Sequence, residues 1–342
     1  MPSSAIEFYF QWAVVVIGVV GTAANALIIY ALVVSKQHKK HLLIVNQNVL
    51  DLFCTCFLVI TYSLKLCNFH LTGTHDRWLC MMLLSEMFTY FGISGSIINL
   101  AIITIDCCLK EVSYHHIWSK EWLRSCVIYL AMGFPWLVGI VYNTAMTFAT
   151  SGVINGVCYS AVFYNRADRL ETLISYIVVY YVIILVIFVF CYGRILITVH
   201  CQARVMPGHS AAENKSNELQ TNVIETMILI STYFAVAWLP INVYYIHLLL
   251  NPYGTFVDGR YCVSLFVAFF YICTNSFVYA TNFNPVKNVL TDIIPFKKAM
   301  NQDHWKWHLS GSEASVWNGA LFDVALHCVQ KKTFTFVFLH NS

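Results

Sequence analysis

"MMLLSEMFTYFGISGSIINLAIITIDCCLK" (residues 81–110) is apolar from Met81 to Ile105 except for Glu86, then meets Asp106 and turns polar. A bilayer-spanning helix needs about 20 mostly apolar residues, so this run can cross a membrane, with its terminal acid standing where the helix leaves the lipid. Six more runs of the same kind surround it: Phe8–Val34, Leu42–Leu64 (broken by Asp51), Ser125–Phe148, Thr172–Gly193, Thr226–Leu250 and Tyr261–Asn284. Composition agrees, since 58% of the 342 residues are apolar and 11% charged, whereas a soluble domain carries about 25% charge. The expected fold is an all-α membrane protein, a bundle of seven transmembrane helices.

Lys and Arg orient the bundle. Fifteen fall on the even loops and the C-terminal tail, against five (Lys65, Arg77, Arg166, Arg169 and Arg260) on the other side, which puts the N-terminus outside a plasma membrane. The net charge of +3 therefore reports topology and not nucleic-acid binding. The first apolar run lacks a basic leader and is long enough to span, so no cleaved signal peptide is expected. Cys54, Cys56, Cys126, Cys191 and Cys273 lie inside spans and read as small packing residues. Cys80 and Cys158 both fall on the outer side, where an oxidising compartment lets them meet. The sequon Asn214-Lys215-Ser216 is cytoplasmic on this topology and is expected to stay unmodified. The expected organisation is a short extracellular segment (1–7), the bundle (8–284), an amphipathic juxtamembrane helix opened by Pro285 (285–298), and a disordered cytoplasmic tail (299–342). Residues 201–222 read as a flexible linker.

Polar groups inside a span are costly, about 2.5 to 3.5 kcal/mol on insertion scales, and need partners. Asp51 has Asn25, Ser96, Asn99 and Asn275 at comparable depth. Two readings are open: a core that holds a cation through oxygen ligands, or a hydrogen-bonded packing cluster around a protonated Asp51. In span six, Pro240 removes a backbone hydrogen bond. Phe234, Trp238, Ile241 or Asn242, and Tyr245 recur around it at helical spacing. With Ile97 of span three, Phe234, Trp238 and Pro240 form a candidate hinge. Glu86, Thr89, Tyr90 and Ile93 on span three, with Ile241, Asn242, Tyr245, Tyr261 and Leu265, form a candidate outer pocket. Glu86 either pairs with Arg77 or snorkels outward.

These motifs resemble the rhodopsin-like (class A) G-protein-coupled receptors over about residues 8–296: Asn25 in "GTAANALIIY", Asp51 in "NQNVLDLF", Asp106 in "TIDCC", Tyr192 in "CYGRIL", "AWLP" (237–240), and "NSFVY" (275–279) followed by "NPVKNVL". The resemblance implies a sodium site at Asp51, Ser96 and Asn275, a toggle at Trp238, an outer disulfide Cys80–Cys158, and activation tyrosines at Tyr192 and Tyr279. No other cofactor is implied. It also implies an extracellular ligand, a heterotrimeric G protein as partner, and membrane lipids around the bundle.

Departures from the pattern bear on signalling. The arginine expected after Asp106 is Cys107, a neutral thiol that cannot form a charge-assisted pair with the acid, and Cys108 replaces the next tyrosine. Ile184 stands near a usual proline, Ser276 replaces the proline of the Asn-Pro motif, span four lacks a mid-helix tryptophan (the nearest are Trp122 and Trp136), and Cys80 lies about two residues too far from Asp106. Thr89 occupies the place of an amine receptor's carboxylate, and Phe269 that of the retinal-binding lysine. A peptide or a small neutral ligand remains, with Asn242 and "FCYGRI" similar to melatonin-type receptors. The expected function is therefore a plasma-membrane receptor. The alternatives are a non-coupling decoy or dimer partner, because of Cys107, and a transporter or channel, which would want a charged path or repeated broken helices. An enzyme is not expected, because no nucleophile stands beside a base.

Overall fold

A computed structural model describes residues 2–67, 73–112, 121–163, 165–205, 211–251 and 258–293. Among the described residues, seven helices are long and apolar enough to cross a membrane: Ala5–Val34, Leu42–Leu66, His75–Lys110, Ser125–Thr150, Arg166–Thr198, Thr221–Leu250 and Gly259–Asn282. These are spans one to seven. Span one packs on two and seven, and span three lies against two, four and five. Large apolar side chains such as Leu130 (72% exposed), Val189 (75%) and Val236 (65%) face outward, while Asp51, Gln47, Asn99 and Asn275 are fully buried. A soluble protein shows the reverse distribution. Here lipid is the solvent, and polar groups must find partners inside the bundle.

Small residues bring the helices together. A Cβ on Gly92 would stand 2.6 Å from the Cβ and 2.9 Å from the Cα of Cys54, so spans two and three touch backbone to backbone there. Gly21 meets Cys273 of span seven in the same way, at 2.8 Å. Such close approach is how helices gain dispersion energy where lipid leaves no hydrophobic drive between them.

Several elements differ from the expectation. Span three begins before Met81: a helix over Thr74–Leu79 runs into a π-turn, Cys80–Leu84, and then breaks. Glu86 has a φ of 67°, a region that costs a non-glycine residue of order 1 to 3 kcal/mol, and the main helix restarts at Met87. The π-turn and the break absorb the excess spacing between Cys80 and Asp106. Span five likewise contains a π-turn, Val178–Val182, so its backbone widens without a proline near Ile184. Trp136 stands at the middle of the helix Glu121–Thr150, so span four does possess a mid-helix tryptophan. The first helix starts at Pro2, within the segment read as a free terminus.

The 201–222 segment is helical up to Val205 and again from Ala211, as good helix formers in "AAENKSNELQ" extend span six. After span seven, the helix Asn284–Ile293 buries Val286 and Leu290 on one face. The remainder of the expected 285–298 helix and the 299–342 tail lie outside the described residues.

The loop after span four carries a β-hairpin: β1 (Gly152–Ile154) pairs with β2 (Val157–Tyr159) across Asn155-Gly156. Both turn residues have positive φ, 51° and 76°, as a two-residue type I′ turn requires. A disulfide, Cys80–Cys158, pins β2 to the π-turn of span three, with Cα atoms 5.4 Å apart. Cys67 and Cys262 are both free thiols.

Glycine substitutions test this packing. A methyl group added at Gly193 would meet nothing within 4 Å, so Gly193→Ala is expected to leave the melting temperature of the detergent-solubilised protein unchanged or to raise it, by the helix-interior gain of about 0.5 to 1 kcal/mol. Gly92→Ala forces spans two and three apart and is expected to lower it by several degrees. Equal effects from the two substitutions would disprove the contact.

Candidate functional site

The polar core is one directed chain of hydrogen bonds. Trp136 Nε1 of span four donates to Asn46 Oδ1 of span two at 3.0 Å. Asn46 Nδ2 donates to Asn99 Oδ1 of span three at 2.8 Å and to the Met132 carbonyl at 3.2 Å. Asn99 Nδ2 donates to Gln47 Oε1 at 2.9 Å and to the Leu43 carbonyl at 3.0 Å. Gln47 Nε2 donates to Asp51 Oδ2 at 3.2 Å and to Ser96 Oγ at 2.5 Å. Each amide accepts once and donates twice. The indole N–H can only donate and the carbonyls and carboxylate can only accept, so the chain runs one way and fixes the orientation of every amide in it.

Asp51 ends the chain and also takes Asn275 Nδ2 of span seven at 2.8 Å. The expected core members Asp51, Ser96, Asn99 and Asn275 are thus brought together. Asn25 is buried but donates to its own helix, at the Gly21 carbonyl. Gln47, Asn46 and Trp136 are the members that sequence reasoning misses, although the placement of Gln47 one turn before Asp51 is a usable signal. For the implied sodium ion the fit is poor. A hard cation wants converging oxygen lone pairs, whereas amide N–H groups point at Asp51 and Ser96.

Around Pro240 the hinge residues do assemble. Phe234 lies 5.9 Å from Trp238 and 5.8 Å from both Phe188 and Tyr271, ring centre to ring centre. Ile97 and Ile241 are buried in the same core. Trp238 Nε1 has no protein partner among the described residues, and Asn242 Nδ2 donates to the Trp238 carbonyl at 2.7 Å.

The cavity lies closer to spans four and five than expected. Its volume is about 120 Å³, and Tyr90, Tyr245 and Tyr261 line it as expected, with Tyr142, Asn143, Thr147, Thr172 and Tyr176 added and Ser160, Ala161 and Phe163 walling it after the hairpin. Tyr176 packs edge-on to Tyr245 at 5.9 Å and to Tyr90 at 6.4 Å. The other six expected pocket residues do not line this cavity. Glu86 turns to span two, where its carboxylate accepts from Tyr62 Oη at 3.0 Å and pairs with Lys65. Its partner is thus Lys65 and not Arg77, because the break at Ser85–Glu86 redirects the side chain. Thr89, Ile93, Ile241, Asn242 and Leu265 are buried in helix contacts.

At the opposite end of the bundle, Asp106 pairs with Lys110 one turn later on its own helix. Cys107 is buried. Tyr192 Oη lies 3.1 Å from Thr104 Oγ1 and 2.8 Å from Ser231 Oγ, joining spans five, three and six, while the buried Tyr279 hydroxyl has no protein partner. Asn222 ties span six to the turn after span seven: its Nδ2 donates to the Asn282 carbonyl at 2.7 Å, and its Oδ1 accepts from the Asn284 N–H at 3.1 Å. His41, at the entry to span two, stacks edge-on with Phe283 at 5.2 Å. Burial and the neighbouring Lys110 and Lys40 push its pKa down from 6.5 to about 4.

Residues 24–279 match the family model described as 7 transmembrane receptor (rhodopsin family). The chain is 24% identical over 277 residues to melatonin receptor type 1B of Rattus norvegicus, covering 78% of this chain and 72% of that one. It is 26% identical over 197 residues to the Homo sapiens type 1B receptor (55% and 51%) and 25% identical over 274 residues to melatonin receptor type 1C of Xenopus laevis (76% and 61%). The chain therefore spans about half the length of the human relative and about three fifths of the frog one.

Two measurements probe this site. Trp136→Phe leaves Asn46 Oδ1 without its donor and is expected to destabilise the solubilised protein by about 1 to 3 kcal/mol. Asn99→Leu strands both Asn46 and Gln47 and is expected to cost more; a smaller loss at Asn99 than at Trp136 would refute the chain. For His41, folded and unfolded forms are both neutral above pH 6.5, but between 6.5 and about 4 only the unfolded chain takes up the proton. Stability is therefore expected to fall as pH drops through that window, and His41→Phe is expected to flatten the melting temperature measured across it.

Proposed function

Because the chain belongs to the rhodopsin family of seven-transmembrane receptors, a family of receptors and not of enzymes, we propose that it is a plasma-membrane receptor whose disulfide end faces outward and whose Asp106 end faces a heterotrimeric G protein. The excess of Lys and Arg on the Asp106 side supports that orientation. The ligand is a small neutral molecule. The observation that carries this reading is the cavity of about 120 Å³ walled by tyrosine, asparagine and threonine side chains.

An apolar cavity of about 150 Å³ holds benzene, so this one has room for about one aromatic ring of a small ligand. Its chemistry disfavours an amine, since the nearby acid Glu86 is already met by Lys65 and Tyr62. Melatonin, which names the relatives and is an uncharged indole amide, belongs to the favoured class. Tyr245 and Tyr176 would face such a ring edge-on. The ligand biases the bundle through Trp238 and span six by its difference in affinity for two states.

A second reading, a receptor that binds but does not couple, is favoured by the Asp106 end. The acid is occupied by Lys110, and the buried Cys107 offers no guanidinium to a partner.

Ligand and coupling are tested separately. Melatonin is expected to raise the melting temperature of the purified protein and the free amine serotonin is not; Tyr245→Ala is expected to weaken binding up to about tenfold, the equivalent of one edge-on aromatic contact of about 0.5 to 1.5 kcal/mol. Stabilisation by the amine alone would overturn the ligand class. For coupling, basal G-protein activation is compared between the natural chain and Cys107→Arg at matched surface levels. A rise only in the variant marks a coupling end disabled at Cys107, whereas signalling by the natural chain removes the non-coupling reading.

A further inference from the structure

We propose that the carboxamide of Gln47 takes the place of a bound cation in the polar core, so that Asp51 and Ser96 are closed to sodium in this chain. Both N–H bonds of that amide are committed. Nε2 lies 2.5 Å from Ser96 Oγ and 3.2 and 3.5 Å from the two Asp51 oxygens. A cation at Asp51 and Ser96 would stand against these amide hydrogens, which carry positive charge of their own. The third expected ligand, Asn275, also presents its Nδ2 to Asp51, at 2.8 Å. Every group on the carboxylate from spans two and seven is therefore a donor.

The amide is held in this orientation. Gln47 cannot exchange its oxygen for its nitrogen, because Oε1 accepts from Asn99 Nδ2 at 2.9 Å and Asn99 is itself anchored on the Leu43 carbonyl. The chain behind it ends on an indole that can only donate. Nor can the side chain swing out to solvent, since Gln47, Asp51 and Asn99 are fully buried. Removing it from Asp51 would strand Gln47 and one N–H of Asn99 in a medium where an unpaired polar group is costly. The glutamine does for the carboxylate what an ion would do, by offering partial positive charge, but it is part of the chain and cannot dissociate. The core is therefore set permanently in its bridged form, independent of the ionic composition of the medium.

The test needs neither a ligand nor a G protein, so its outcome is separate from that of the receptor reading. Melting of the full-length solubilised protein is followed as sodium chloride replaces choline chloride at constant ionic strength. The natural chain is expected to show no sodium-specific shift. Gln47→Ala, which frees Asp51 and Ser96, is expected to gain a melting temperature that rises with the logarithm of sodium concentration, as binding to the folded state alone requires. Gln47→Glu, which keeps the shape and exchanges the N–H donors for lone pairs, is expected to do the same and serves if the alanine variant does not fold. A sodium-specific rise in the natural chain that Asp51→Asn abolishes would overturn the proposal, as would the absence of a shift in both variants.

Discussion

A carboxylate sealed in a lipid-embedded bundle must have its hydrogen-bonding capacity met by the protein itself, because no water competes for it and an unmet polar group costs several kcal/mol. Asp51 is that group, and the core is arranged to meet its demand. Donors reach it from spans two, three and seven, through Gln47, Ser96 and Asn275, and behind Gln47 stands a relay through Asn99 and Asn46 to Trp136. The relay joins spans two, three and four at one depth, and the carbonyls of Leu43 and Met132 hold its amides at the sides. Gly92 and Gly95 of span three carry no side chain to hold the neighbours off: a Cβ there would collide with Cys54 and Leu50. Polar satisfaction and close backbone packing thus depend on each other.

The bundle is tied unevenly. Spans two, three and four share the fully paired relay. Among the described residues, buried groups without a protein partner include Trp238 Nε1, Asn275 Oδ1, Ser276 Oγ and the Tyr279 hydroxyl on spans six and seven, and Asn48 Oδ1 and Thr89 Oγ1 on spans two and three. Span six also carries Pro240, which removes a bond from its own ladder. The aromatic stack of Phe188, Phe234, Trp238 and Tyr271 fills the space between these two halves and is the natural place for two packings of similar energy.

The two ends of span three show how local backbone geometry redirects charge. At the disulfide end the π-turn and the left-handed Glu86 turn an acid away from the cavity and onto Lys65 and Tyr62. The cavity is left walled by uncharged groups. At the other end regular helix places Lys110 one turn after Asp106, so the acid pairs within its own helix. In both places the acid is neutralised by a lysine on the same or an adjacent helix, and neither acid is left as an open counter-ion.

Apolar length and charge are properties of short stretches, so the seven spans, the family motifs, the burial of Asp51 and the replacement of an arginine by Cys107 were all legible in the sequence. The amphipathic helix after span seven was legible too, from the Pro285 that opens it. The hairpin has one local sign, the turn pair Asn155-Gly156, because strands of three residues are too short to show an alternating pattern. What only the tertiary structure decided is which polar groups meet. The direction of the Gln47 amide, the choice of Lys65 over Arg77 for Glu86, and the displacement of the cavity toward Tyr142, Asn143 and Tyr176 all depend on the rotation and register of one helix against another. A π-turn of a few residues in span three or span five changes that rotation for every side chain beyond it, and the energy deciding it is shared among contacts from several helices, which no single stretch of sequence contains.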